Sequence, residues 1–269
     1  MKERSAARRA LVTGASSGIG LAFARELAGR GYDLILTARR RDRLETLAKE
    51  LNDRHRVDAA VIVEDLAGPA APQRLADVIA QNGWHVDFLV NNAGFGVPGS
   101  YASTTWADQQ RFLQVMVTAT CELTHRLLPG MIARRWGRIV NIASLAGLLP
   151  GVAGHTLYAA SKAFVIRFSE SLALETARHG IHVTASCPGF TLSEFHDVTG
   201  TRQQVSQMPS FMWLEAPHVA RTSVDAVMAG VPVFVPGRLN QSFATLSRVL
   251  PRSLVWAVMK RNASKFRRV

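Results

Sequence analysis

Tyr158 and Lys162 stand four residues apart at the start of a long helical pattern. Residues at i and i+4 share one helix face, separated by ~6 Å of rise. An ammonium beneath a phenol favours the phenolate and draws a proton with an ordinary pKa of ~10 toward working pH. A phenol tuned in that way is a proton donor for a carbonyl oxygen. Ser144 follows the apolar run Arg138–Ala143, at the carboxyl end of a predicted strand, where open parallel sheets bind ligands. Its hydroxyl could polarise the same oxygen. Tyr and Lys at this spacing occur by chance on many exposed helices. Their weight here comes from Ser144 and from a glycine cluster far upstream.

That cluster is Thr13-Gly14-Ala15-Ser16-Ser17-Gly18-Ile19-Gly20, between a first apolar run and a first helical pattern. Gly14 permits a tight turn, Gly18 lets backbone approach a pyrophosphate, and Gly20 allows close packing of helix on strand. The free N–H groups and positive end of the helix complete an anion site. About 20 residues further on, an acid would select the ribose 2′-hydroxyl of NAD. Here the segment reads Leu36-Thr37-Ala38-Arg39-Arg40-Arg41, with no carboxylate before Asp42. Arg39 could fork onto a 2′-phosphate and stack on adenine, with Ser16 adding a hydroxyl. The expected cofactor is therefore NADP(H). Arg40 and Arg41 are expected to be solvated residues of the next helix's first turn.

The elements that must position these groups alternate. Arg9–Thr13, Asp33–Thr37, Ala59–Val63, Val86–Val90, Arg138–Ile142 and His182–Ser186 read as short buried strands. Between them, apolar residues recur at helical spacing, as in Leu21, Ala24, Leu27 and Ala28, or Leu44, Leu47, Ala48 and Leu51. Such alternation predicts right-handed βαβ crossovers. The fold class is α/β, a Rossmann-like doubly wound, seven-stranded parallel sheet with helices on both faces. Val231–Val235 supplies the seventh strand, and Pro232 suits it to an edge. Residues 1–240 form a single catalytic domain, with a substrate lid at about 190–217. Residues 241–269 form a basic helical extension, Leu239–Leu250 and Ser253–Lys260, broken at Pro251.

Composition narrows the classes. The 269 residues are 48% hydrophobic, enough for a core and against a disordered chain. The two cysteines, Cys121 and Cys187, lie far apart without a CxxC, which argues against a disulfide scaffold or a thiolate zinc site. The eight histidines form no HxxxH pair, and no catalytic metal is expected. His155, His196 and His218 read as loop residues. No apolar run reaches the ~18 residues of a membrane span, so a cytoplasmic location is expected. The net charge is +12, with 27 Arg against 5 Lys. From Thr201 onward there are ten basic and two acidic residues, so the excess belongs mostly to the tail.

Taken together, TGASSGIG at Thr13–Gly20, Asp65-Leu66, Asn91-Asn92-Ala93-Gly94, Ser144, Tyr158 with Lys162, and Pro188-Gly189 resemble the short-chain dehydrogenase/reductase family, over about residues 8–240. The resemblance implies that Asp65 and Leu66 border the adenine and that Asn91, Ala93 and Gly94 support the cofactor side of the fourth strand. It places Pro188 and Gly189 by the nicotinamide, where Ser193 holds the amide. Tyr158 and Lys162 count as both catalytic and cofactor-binding, with Ser144 as the third catalytic group. The surroundings of Gly94, Ala163 and Ser193 look closest to the branch with bacterial oxidoreductases of unassigned substrate and the 3-oxoacyl and hydroxysteroid reductases. The family often forms a homodimer or homotetramer through the Tyr158–Arg178 helix and the one before the fifth strand.

One position departs from the family pattern. An Asn usual in the helix before the fifth strand is Met116 here, which cannot hold the water that the amide holds. Thr118, Thr120 or Gln114 would then support a rearranged path, or turnover is slowed or lost. The lid is rich in large apolar groups. Phe190, Phe195, Phe211, Met212 and Trp213, with Phe95 and Leu145, are the candidate substrate contacts. They suit a lipophilic ketone or aldehyde, or an acyl thioester, better than a small keto acid. The leading expectation is an NADP(H)-dependent carbonyl reductase or alcohol dehydrogenase acting on a small molecule. The alternative is an NADP-binding scaffold or sensor with weak activity. No nucleic-acid partner is expected. For the basic tail, packing on the body or a second subunit is favoured over contact with an anionic membrane surface.

Overall fold

The computed structural model describes residues 8–151, 156–192, 209–251, 253, 256 and 257. Its core is a seven-stranded, wholly parallel sheet of order β3-β2-β1-β4-β5-β6-β9. The strands are β1 (Arg9–Thr13), β2 (Asp33–Ala38), β3 (Ala59–Val63), β4 (Phe88–Asn91), β5 (Gly137–Ile142), β6 (Ile181–Ser186) and β9 (Val233–Phe234). The strand order reverses between β1 and β4, and the crevice at that switch point is where such sheets take ligands.

Helices cover both faces. One face carries α1 (Gly18–Gly29), α2 (Arg41–His55) and α7 (Ala216–Met228), packed with Phe23, Leu27, Leu36, Phe88, Val140 and Val224. The other carries α3 (Ala71–Gln81), α5 (Ala119–Arg134) and α6 (Thr156–Thr176), over Leu11, Ile35, Leu89, Ile139 and Val183. Successive strand residues point to opposite faces, so continuous apolar runs arise where both faces are covered.

The predicted strands are all present, two with the expected bounds and the others with ends shifted by one or two residues. Val231–Val235 shrinks to β9 at the sheet edge. There the carbonyl of Pro232 accepts from Ala185 N, and the missing proline donor leaves no gap in the ladder. A short parallel pair, β7 (Thr191–Leu192) with β8 (Leu214–Glu215), was not legible in the sequence. It joins the two described ends of the expected lid, whose residues 193–208 lie outside the described residues. Helix α4 (Trp106–Leu113) runs through a π-helical turn, Gln114–Thr118, into α5. A final helix, α8 (Arg238–Val249), follows β9.

Candidate active site

The glycine turn between β1 and α1 is held by main chain and by Asn92. Ala15 N donates to Thr37 O, and Asn92 Nδ2 donates to Thr13 O at 2.9 Å and to Gly14 O at 3.3 Å. Thr13 Oγ1 accepts from the backbone N–H groups of Asn92 and Ala93. Gly14 and Gly18 adopt φ of +66° and +56°, a region that disfavours side chains. A Cβ on Gly20 would collide with the Gly14 carbonyl, as expected of the glycine that lets helix meet strand. Asn92 was not singled out as a site residue. Its signal was its place in the Asn-Asn-Ala-Gly run at the end of β4.

Arginine placement corrects the reading of Arg40. Arg39 is exposed. Arg40 is not a freely solvated first-turn residue. Its guanidinium donates to Ser16 Oγ (3.0 Å from Nη2, 3.2 Å from Nε) and from Nη2 to Ser17 Oγ at 2.9 Å. Arg40 is the N-cap residue of α2, with extended backbone, and from there its side chain folds back over the glycine turn. Arg41 behaves as expected, exposed and paired with Glu45. A fork already lying on the hydroxyls of a phosphate-type turn fits an anion bound there.

Other cofactor-side residues divide. Pro188 and Gly189 lie at the carboxyl end of β6, and Pro188 O accepts from Leu145 N at 2.9 Å. Asp65 turns on itself, its carboxylate accepting from Ala67 N. The side chains of Leu66 and Ile19 pack into the two cores, and Ala93 lies partly buried against one of them. Their nearby backbone, not their side chains, is what could border a nucleotide. Asn91 is buried, its amide donating to Asn141 Oδ1 (2.8 Å) and Thr124 Oγ1 (3.1 Å). Asn141 in turn donates to Ser169 Oγ on α6. Asn91 thus ties β4 to β5 and α5. Ser193 and Phe195 lie outside the described residues.

The chemistry-bearing groups converge at the carboxyl ends of β5 and β6. Ser144 caps a single 3₁₀ turn, Leu145–Gly147, its Oγ accepting from Ala146 N. A Cβ on Gly147 would fall 2.7 Å from the Lys162 carbonyl carbon, so this glycine lets the Ser144 turn lie on α6. Tyr158, in the first turn of α6, shares a hydrogen bond with Ser144. Burial raises the Tyr158 phenol above its usual pKa, and the Ser144 hydroxyl pulls against that shift. Lys162 Nζ lies 5.7 Å from the Tyr158 ring centroid and donates to Ile142 O at 2.7 Å. Burial drops the Lys162 ammonium from 10.5 to about 8, and Cys187 opposes this. The expected depression of the tyrosine by the lysine is therefore not the governing influence. The phenol is held protonated, as a donor must be before it acts.

Met116 is 2% exposed inside the π-helical turn, and its Sδ fills the space beside Gly94, 2.9 Å from where a Cβ would sit. Of the three side chains considered as substitutes for an amide there, Thr118 is exposed and Thr120 is buried. Gln114 buries its Nε2 without a partner. On the substrate side, Phe190 and Trp213 form a tilted ring pair at 5.8 Å, Met212 and Leu145 are partly buried, and Phe211 is 72% exposed. Phe95 is partly buried, standing edge-on to Phe112 and packing on the α5 side of the core. Asn240 on α8 was missed. It packs against Gly189, where a Cβ would meet its amide at 2.6 Å.

Residues 8–204 match the family model described as short chain dehydrogenase. The chain is 41% identical over 201 residues to nodulation protein G of Rhizobium sp. (strain N33), covering 75% of this chain and 80% of that protein. It is 39% identical over 199 residues to sulfoacetaldehyde reductase 2 of Chromohalobacter salexigens, covering 73% and 78%. Among solved structures it is similar to a short-chain dehydrogenase from Sphingobium yanoikuyae in complex with NADPH. That match has a TM-score of 0.79 at 30% identity and covers 91% of this chain and 96% of that one.

Proposed function

The chain belongs to the short-chain dehydrogenase family, and we propose that it is an NADP(H)-dependent oxidoreductase interconverting a carbonyl compound and an alcohol. One observation carries the reading: the Ser144 and Tyr158 hydroxyls share a hydrogen bond at the strand ends, with Lys162 buried beside them. When bound, the reduced nicotinamide supplies a hydride to the carbonyl carbon. Tyr158 Oη gives its proton to the carbonyl oxygen, so alkoxide charge never accumulates in the apolar site. Ser144 Oγ donates to the same oxygen and holds it against the phenol. Once the proton has left, Lys162 faces the phenolate and favours its lifetime. Phe190 and Trp213 offer an apolar wall, which supports a lipophilic ketone, aldehyde or acyl thioester as substrate. A solved alcohol dehydrogenase from Comamonas testosteroni, similar in fold with a TM-score of 0.75 at 27% identity over 91% of this chain and 96% of that one, is described as specific for bulky-bulky ketones.

Arg40, with Ser16 and Ser17, would hold the 2′-phosphate. Each charge-assisted contact contributes about 1.5–3 kcal/mol. Steady-state kinetics with a panel of lipophilic ketones and thioesters should show a preference for NADPH over NADH. Arg40→Ala should lower kcat/KM with NADPH about tenfold to a hundredfold and leave NADH turnover unchanged. Equal use of both cofactors by the wild type removes the proposal for NADP(H). A large loss in Arg39→Ala with none in Arg40→Ala returns the phosphate to Arg39.

A further inference from the structure

Helix α8 is seated with its sides exchanged. Asn240, Ala244 and Ser247 recur at helical spacing and face the body. Asn240 and Ala244 are buried, and Asn240 Nδ2 donates to Pro236 O. The large apolar residues lie on another side. Leu239 is 38% exposed, Phe243 41%, Leu246 53% and Val249 76%. These four form a single stripe along the helix, and Trp256 beyond it is exposed too. Of the two placements expected for the apolar side of the tail, on the body or on a second subunit, Leu246 does not take the first.

Charge accompanies the stripe. Asp225 is the last acidic residue of the chain, and the stretch from 226 to 269 holds Arg238, Arg248, Arg252, Lys260, Arg261, Lys265, Arg267 and Arg268. Three other exposed apolar side chains lie in a different setting. Phe164 and Leu174 share α6 with Glu170 and Glu175, and Trp106 shares α4 with Asp108. The α8 stripe leads into a segment whose charged residues are all basic.

We propose that α8 and the basic segment after it dock the enzyme on an anionic phospholipid bilayer, with Leu239, Phe243, Leu246 and Val249 entering the interface. An amphipathic helix with Phe, Leu and Trp on one side and Lys and Arg around it lies in the plane of such a surface. Basic residues add attraction within a Debye length of anionic headgroups. The first turn of α8 packs on Gly189 through Asn240, and Gly237 just before it packs on Leu214, so the inward side of the docking helix adjoins the candidate active site and the stripe faces away. Docking does not depend on the reaction proposed above, and its readout is separate from turnover.

Full-length protein is sedimented with vesicles of phosphatidylcholine alone and of equal parts phosphatidylcholine and phosphatidylglycerol, at about 0.15 M and about 0.5 M salt. The expected result is pelleting with the anionic vesicles alone, and only at the lower salt. Phe243→Ser/Leu246→Ser should weaken that binding by about tenfold or more, with the melting temperature and the mass in solution unchanged. Lys260→Glu/Lys265→Glu should weaken it by a similar factor. Absence of pelleting with anionic vesicles overturns the proposal, as does pelleting that both variants retain. A drop in oligomer mass in Phe243→Ser/Leu246→Ser without vesicle binding by the wild type assigns the stripe to a second copy of the chain.

Discussion

Helices α6 and α8 both depart from the ordinary amphipathic rule, in opposite senses. In α6 the buried residues include Ser161, Lys162, Ser169 and Thr176. Each polar atom there has an answer: Lys162 donates to Ile142 O, Ser161 to Tyr158 O, Ser169 to Val165 O and Thr176 to Leu172 O. Ser169 also accepts from Asn141, whose carbonyl oxygen accepts from Asn91. Burying such groups without partners would cost several kcal/mol, so the network is what makes a polar interior tolerable. In α8 the polar side is turned inward only far enough for Asn240, and the apolar stripe is turned out. Among the described residues nothing covers it. The first departure is completed within the domain; the second asks for something outside it.

The sharpest way to test the interior of α6 is to remove one oxygen. Tyr158→Phe keeps the ring and its packing, and Ser144 keeps its bond from Ala146 N. Turnover should fall by about 10²–10⁴-fold, the usual contribution of a positioned general acid. NADPH affinity, read by fluorescence, and the melting temperature should stay close to wild type. A variant with near wild-type turnover would mean that the polar interior of α6 serves packing and that another group donates the proton.

The second effect is smaller and concerns the energy stored beside that phenol. Lys162 has a folded pKa of about 8 against 10.5 for the free side chain. The folded state therefore gives up its proton first. Below pH 8 both states are protonated and the penalty for a buried ammonium is fully present. As pH rises from about 8 toward 10.5 the folded state is neutral while the unfolded chain still binds a proton, so stability rises. Urea unfolding of wild type and Lys162→Met at about pH 7 and about pH 10 isolates this group. The wild type should gain about 2–3 kcal/mol relative to the variant over that interval. A constant difference would show that the ammonium is well solvated or fully paired, and α6 would then carry no stored strain of charge.

Much of this was readable in the chain. The buried strands, the glycine turn and the Ser144, Tyr158 and Lys162 set depend on local pattern or on spacing within one helix, which sequence displays directly. What escaped depends on which way a side chain turns between elements. Arg39 and Arg40 are adjacent and chemically identical, and only the extended backbone of the α2 N-cap decides that Arg40 lies over the glycine turn. That Phe95 stands edge-on to Phe112 was equally hidden. Lys162 was correctly placed beneath Tyr158, but the Ile142 carbonyl that holds its nitrogen lies twenty residues away. The periodicity of α8 was plain; which of its sides meets the body was not, because Asn240 owes its place to its fit against Gly189.

The smallest effect discriminates most directly between the two helices. A leucine in a packed core costs about 2–5 kcal/mol when truncated, because contacts are lost and a cavity remains. Leu172 of α6 is of that kind, 8% exposed within the core. Leu246 of α8 is chemically the same residue at 53% exposure, and Phe243 beside it is 41% exposed. Serine at either α8 position removes apolar surface that water already reaches. Leu246→Ser should therefore shift the unfolding free energy of the protein free in solution by no more than about 0.5 kcal/mol in urea titration. The direction can even be favourable, since less apolar surface is left wetted in the folded state. A loss above about 2 kcal/mol would place a covering surface over the stripe in the isolated protein. α8 would then be an ordinary core helix like α6, and the contrast between the two would close.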